Sequence, residues 1–250
     1  MIQDLHSHTY YSFCGKDSPQ AIVEAAIAGG IELFGICDHA HGVGFCRRDA
    51  RKAPLDVIPN TYPQQAIQRY FDHLTLIKEK YADKIRILRG IEVATTTALE
   101  KVILPEETDI SFFDYCLIEH LDHEASCTGG DVFSFAKRCG CPMVGVAHTD
   151  LFAHIEKLGA DPLDYLSKMA EQNIFWEMNV TFDSIHKYEQ HAYMLRFFED
   201  ERQQELVRRS GVRLSVGFDG HRVEDYLPQR VREYCERIGK MGIKLAFERA

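Results

Sequence analysis

Short apolar runs recur along the chain, and nearly every one stops on a polar residue able to hold a metal ion or a proton. The runs are Ile2 to Leu5, Ile31 to Cys37, Ile85 to Leu88, Tyr115 to Ile118, Met143 to Ala147, Ile174 to Met178 and Leu214 to Phe218. Their length and continuity predict buried strands. Between them apolar positions return at helical spacing. Ser18 as N-cap, Pro19 at the first helical position, Ile22, Ala25 and Ala26 on one side and Gly29-Gly30 as the stop predict the first helix. Pro63 opens a long helix to about Tyr81, and others are predicted near Asp131 to Arg138, from Asp161-Pro162, over Met194 to Arg209 before Gly211, and over Leu227 to Met241. The stretch from Val93 to Phe113 has no helical signal, and the segment with Gly42, Gly44, Arg47 and Arg48 reads as a loop.

Strand and helix in alternation favour a parallel sheet with right-handed crossovers. In a (β/α) barrel the carboxyl ends of the strands share one face, so polar residues far apart in sequence converge there. An open doubly wound sheet is the competing topology, and it would gather them only at a switch point. A length of 250 residues, 45% of them hydrophobic, suits one barrel-sized α/β domain or two smaller ones. With no linker, low-complexity tract or internal repeat, a single domain over 1–250 is expected. Met1 runs into the first strand without a basic leader, and no apolar run reaches membrane-span length, so a cytoplasmic location is expected. Eight cysteines without a Cys-x-x-Cys pair suit reduced thiols. A formal charge of -9 disfavours a dedicated nucleic-acid binder. Nothing in the pattern indicates an oligomeric state.

The strand ends supply the chemistry. In Asp4-Leu5-His6-Ser7-His8 two histidines one residue apart point to the same face, which presents two imidazoles to one ion. Asp38-His39-Ala40-His41, Arg89-Gly90-Ile91-Glu92, Glu119-His120-Leu121-Asp122-His123, His148-Thr149-Asp150, Asn179 and Asp219-Gly220-His221 follow the later runs. Six of twelve histidines (His6, His8, His39, His120, His148, His221) lie near run ends, as do Glu92 and Asp219. Any one of them alone reads as a solvated side chain; together they do not. His73, His154, His186 and His191 lie in helical or loop segments and read as structural, while His41 and His123 each sit just beyond a better candidate. Mixed imidazole and carboxylate ligands suit zinc, manganese or iron, and are too many for one tetrahedral site. Two or three adjacent divalent ions are therefore expected, activating a water and neutralising charge on a transferring phosphoryl group. Phosphoester hydrolysis is the leading chemistry. Arg47 and Arg48 could clamp a phosphate, and Arg222 and Lys16 adjoin the motifs, although solvation explains such residues as well. Asp150 is a candidate acid for the leaving group, or a carboxylate orienting a ligand imidazole. Cys139-Gly-Cys141 reads as packing at a helix stop, and Phe133, Phe135 and Trp176 read as core.

Asp4-Leu5-His6-Ser7-His8-Thr9, Cys37-Asp38-His39, Gly90-Ile91-Glu92, His120, His148 and Gly217-Phe218-Asp219-Gly220-His221 together resemble the PHP (polymerase and histidinol phosphatase) superfamily, whose motifs occur in this order. Tyr70 to Val93 is most similar to the histidinol-phosphatase branch. The resemblance implies a distorted seven-stranded, TIM-like (β/α)7 barrel holding up to three metals at the carboxyl ends of its strands. It assigns His6, His8, Glu92 and Asp219 to a first ion, Glu92 with His120 and His148 to a second, and His39 and His221 to a third. Cys14 stands where the family often has a further histidine, and a thiolate can ligate zinc. The spacing before His120 is about one residue short, which makes His123 its rival. Hydroxide bridging two ions is expected to attack phosphorus in line, with Glu92 and Asp219 central, on a small phosphorylated metabolite such as histidinol phosphate. A phosphodiesterase or exonuclease is the alternative. A metal-dependent amidohydrolase ranks last, because it would not need Asp38-His39 and Glu92.

Overall fold

The computed structural model describes residues 1–48, 57–59, 62–98 and 103–248, with backbone alone for 45–48 and 57–59. In chain order the elements are β1 (Gln3–Asp4), α1 (Pro19–Ala28), β2 (Leu33–Ile36), β3 (Cys46–Arg48), β4 (Val57–Pro59), α2 (Pro63–Lys80), β5 (Arg86–Ala94), β6 (Tyr115–Glu119), α3 (Val132–Cys139), β7 (Val144–Val146), α4 (Leu151–Lys157), α5 (Pro162–Glu171), β8 (Ile174–Asn179), α6 (Ala192–Glu199), α7 (Glu201–Ser210), β9 (Leu214–Gly217) and α8 (Pro228–Lys240). The local signals account for many of the ends. Ser18 caps α1 by accepting from the Ala21 N–H, Asp161 caps α5 from Asp164, and Gly211 closes α7 at φ 74°.

Seven strands lie parallel in the order β1-β2-β5-β6-β7-β8-β9. The circle then nearly closes. The Leu5 N–H donates to the Val216 carbonyl at 2.9 Å, Asp219 to His6 at 2.8 Å and His8 to Gly220 at 2.8 Å, which joins the last strand to the first. The fold is thus the (β/α)7 barrel expected. β3 and β4 form a small antiparallel hairpin beside it.

Alternation along each strand divides the apolar residues between two cores. Leu33, Leu88, Tyr115, Leu117 and Phe175 pack together in the barrel, whereas Phe34, Ile36, Val146, Trp176 and Val216 face the helices. Glycine on the inner face makes room for the large rings. A Cβ on Gly35 would come within 2.2 Å of Tyr115 Oη, and one on Gly145 within 2.4 Å of Phe175 Cε2. Each fully buried apolar side chain contributes about 1.5–3 kcal/mol, so this filling keeps the barrel rigid beneath the site.

Four readings of the pattern need correcting. The segment with Gly42, Gly44, Arg47 and Arg48 is not a loop throughout: His41–Phe45 winds as a π-helical turn and Cys46–Arg48 forms β3. The helix predicted over Met194 to Arg209 is two, because Asp200 breaks it and caps α7 by accepting from Arg202 and Gln203. α4 lacked a recognised signal, although Asp150 caps it. β5 runs to Ala94, so Glu92 sits within a strand rather than beyond its end. The sequence predicts no helix between Val93 and Phe113, and no α-helix occurs there among the described residues.

Candidate metal centre

β1 delivers His6 and His8 to the mouth of the barrel, and buried Asp4 holds that delivery in place. Asp4 Oδ1 accepts from the Phe218 N–H at 3.0 Å and Oδ2 from the Tyr226 hydroxyl at 2.8 Å, tying β1 to the segment that follows β9. Burial pushes the Asp4 carboxyl up to about 6. Asp38 does the same work for the next loop, accepting from the backbone and hydroxyl of Thr9 and of Ser12 at 2.7–3.1 Å. His39 follows it, bridged in parallel to Glu92 on β5. Three other strand-end residues, His120, His148 and Asp219, have φ values of 61°, 29° and 56°. Such left-handed geometry costs a non-glycine residue of order 1–3 kcal/mol and is typical of functional positions.

The donor atoms converge. His6 Nε2 and His8 Nε2 are 3.1 Å apart; Glu92 Oε1 lies 3.3 Å from the first and Oε2 3.5 Å from the second. Asp219 Oδ1 is 3.5 Å from His6 Nε2 and 3.1 Å from His8 Nε2. Bonds of 2.0–2.1 Å to a tetrahedral ion would set its ligands roughly 3.3–3.4 Å apart, so His6, His8 and Glu92 could hold one, with Asp219 beside the two imidazoles. Glu92 also reaches outward, with Oε1 3.2 Å from His148 Nε2 and Oε2 2.7 Å from His39 Nδ1. A carboxylate between two sets of imidazoles can be shared by two ions. Cys14 groups with His8 and His221, and Glu119 groups both with Glu92 and His148 and with His39 and His41.

The protonation pattern fits a cluster built for cations. Burial opposes charge on His6, but the carboxylates of Glu177, Asp219 and Glu92 outweigh it and hold its pKa well above the usual value. His8 is held well below, first by burial and then by neighbouring His39. Burial would raise Glu92 and Asp219, yet the surrounding imidazoles keep both well below the usual carboxylate range. Burial likewise opposes the Cys14 thiolate, while hydrogen bonds with His221 and His39 bring the thiol down to about 6. Divalent ions would displace protons from such a cluster, making their binding pH-dependent.

The structure brings together His6, His8, Cys14, His39, Glu92, His148, Asp219 and His221. It also favours His120 over His123. The His120 ring is 5.6 Å from that of His148 and its Nε2 is 3.1 Å from Glu119 Oε2, whereas His123 Nδ1 accepts the Ala125 N–H in a turn. Asp150 is not brought to the cluster: it caps α4, pairs with Arg196 and faces an outer groove. Arg222 turns to Ser184 Oγ at 3.4 Å and Lys16 to Glu224 at 3.0 Å, so neither lines the central pocket. Arg47 and Arg48 belong to β3, and their side chains lie outside the described residues.

Four residues escaped sequence reasoning. Glu177 sits inside the apolar run of β8, where its Oε1 meets His6 Nδ1 at 2.6 Å and its Oε2 accepts the His148 N–H at 2.8 Å. A charge in the middle of a buried strand was the available signal. Glu119 was hidden beside His120. His186 and His191, read as structural, instead line a pocket of about 300 Å³ with His39, Glu92, Glu119, His120, His148, Asp219 and His221. No apolar run announces them, because they lie on the long loop after β8.

Known proteins agree with this architecture. A family model described as the PHP domain matches residues 4–245. Among solved structures, the chain is similar to histidinol phosphate phosphatase (HISK) from Lactococcus lactis subsp. lactis Il1403, complexed with zinc, L-histidinol and phosphate. The identity is 18%, the TM-score 0.57, and 98% of this chain and 95% of that one are covered. It is also similar to a structure from work on YwqE of Bacillus subtilis and CpsB of Streptococcus pneumoniae, described as metal-dependent tyrosine phosphatases, at 17% identity and TM-score 0.48 over 94% of this chain and 87% of that one. A search of the curated proteins gives no match.

Proposed function

We propose that this chain, which belongs to the PHP domain family, hydrolyses phosphate monoesters of a small metabolite with the help of two or three divalent ions. The observation that supports it most is the shared carboxylate of Glu92, buried between the His6 and His8 imidazoles on one side and those of His39 and His148 on the other. His6, His8, Glu92 and Asp219 would hold a first ion, Glu92, His148 and His120 a second, and His39 and His221 a third, with Cys14 beside them. Bound ions would supply an activated water and a sink for phosphoryl charge. The chain's own part is positioning. Glu177 fixes the His6 ring through Nδ1, which leaves Nε2 aimed at the cluster, and grips the backbone of His148 at the same time. Asn179 joins Glu177 to Asp219 through Nδ2, at 3.4 and 3.3 Å. The mouth, ringed by His120, His186 and His191, would admit a phosphate group from solvent.

No helix among the described residues is long and apolar enough to cross a membrane. Histidinol phosphate heads the substrate panel because the Lactococcus protein was crystallised with L-histidinol and phosphate. The test assays zinc- and manganese-loaded protein on an aryl phosphate, histidinol phosphate, nucleotides, a phosphotyrosine peptide and a single-stranded oligonucleotide. Metal-dependent phosphate release from a monoester, lost in Glu92→Ala, is expected. Cleavage confined to the oligonucleotide would move the protein to phosphodiester chemistry, and no turnover by metal-loaded protein would overturn the reading.

A further inference from the structure

We propose that Asp183 and His186 complete, with His221, a divalent-cation site on the wall of the central pocket, an alternative to the pairing of His221 with His39. It extends the metal-dependent reading but is tested by binding alone. One donor atom from each residue lies within 4.8 Å of the other two. Two of the three residues each carry a buried side-chain atom without a hydrogen-bond partner, although His221 Nδ1 lies 3.8 Å from Asp219 Oδ1. Asp183 Oδ1 pairs with His186 Nδ1 and accepts the His186 N–H, both at 2.8 Å, while its Oδ2 has no hydrogen-bond partner. His221 Nδ1 has none either. Orphaned buried polar atoms are rare in native proteins, and two in one cluster point to a missing ligand. A cation bound between them would satisfy both.

The donor set defines the ion. Two imidazoles and one carboxylate, leaving a position open, suit zinc, with manganese and iron behind it. His221 is contested, since it also groups with His8 and Cys14. The thiol set asks nothing of Asp183, so the two assignments separate cleanly by mutation. Location gives the site its use. His186 lies 3.4 Å from Asp219 Oδ2 and walls both the central pocket and a neighbouring one of about 290 Å³, lined by Thr181, Lys187, Glu189, Gln190 and His191. A cation here brings positive charge to the boundary between the phosphate pocket and the space beside it, where the rest of a monoester would extend.

Wild type, Asp183→Asn, His186→Gln and Cys14→Ser are stripped with chelator, reloaded with zinc, freed of excess by gel filtration and analysed for zinc per chain. Asp183→Asn keeps an acceptor for the His186 N–H, and His186→Gln leaves Asp183 intact, so at least one is expected to fold; circular dichroism verifies it. Each folded variant is expected to hold one equivalent fewer than wild type, with Cys14→Ser unchanged. Equal, non-zero loads in wild type and both loop variants overturn the proposal and spare the proposed function. Loss of the equivalent in Cys14→Ser alone assigns the ion to the thiol set and also overturns it. A wild type that binds no zinc removes both readings.

Discussion

Replacing Glu177 with glutamine tests how the barrel aims its histidines. The carboxylate accepts from two directions, with Oε1 facing His6 Nδ1 at 2.6 Å and Oε2 facing the His148 N–H at 2.8 Å and Asn179 Nδ2 at 3.4 Å. An amide has one acceptor oxygen, so whichever way it turns its NH2 meets a donor and one buried N–H loses its partner. The orphan costs about 1–3 kcal/mol of stability. The metal side suffers separately. A carboxylate behind a ligand imidazole fixes its tautomer and raises its basicity, and losing it weakens binding roughly 10–100-fold, or about 1.4–2.8 kcal/mol. Zinc competition against a chromophoric chelator reads the second quantity, and urea unfolding of the metal-free protein reads the first. Gly217→Ala acts on the same contact from outside, since its Cβ would sit 2.1 Å from Glu177 Oε1 and 2.6 Å from His6 Cβ. Zinc affinity within threefold of wild type in Glu177→Gln would refute this account of how His6 is held.

Tyr70→Phe leaves the buried Asp38 N–H without the hydroxyl that accepts it at 3.0 Å, and a loss of about 1–3 kcal/mol is expected by urea unfolding. Asp114 accepts from the Arg89 backbone, Nε and Nη2 and from Lys78 at 2.8–3.1 Å. Burial opposes its charge, but these partners outweigh it and hold its pKa below 3.8. Its stabilisation is therefore present above the unfolded value and lost as pH falls through the folded one. Asp114→Asn should cost about 1 kcal/mol at neutral pH, and an acid titration should see the gap to wild type close below about pH 3.8. Stripping metal with chelator should abolish phosphate release and lower the thermal midpoint, and zinc or manganese should restore both.

The parts of the fold written in local signals were legible. Ser18-Pro19, Asp161-Pro162 and Gly211 mark helix ends through capping and backbone geometry, which need no tertiary context. The strand-end histidines were legible because a barrel turns a list of carboxyl ends into one face. Glu177 was not: inside Ile174 to Met178 it looks like an interruption, and only the inner wall of the barrel gives it His6 as a partner. Asp150, two residues after a candidate ligand, reads as an acid or as a carboxylate orienting an imidazole, whereas the structure sets it before a helix, where aspartate is first of all a cap. His186 and His191 reach the pocket because the loop after β8 folds back over it, and no periodicity encodes that return.

Closure of the barrel through β1 and β9 also sets a timetable. Asp219 follows His8 by 211 residues. At 5–20 residues per second a ribosome needs roughly 10 to 40 s to cover that distance. Throughout that interval His6 and His8 have neither Asp219 nor the Leu5-to-Val216 hydrogen bond that sets β1 against β9. A metal ion meeting the nascent chain finds only fragments of its coordination sphere. In the proposed metal centre, loading would thus be a late event, with the final strand as the latch that decides when the centre can be filled.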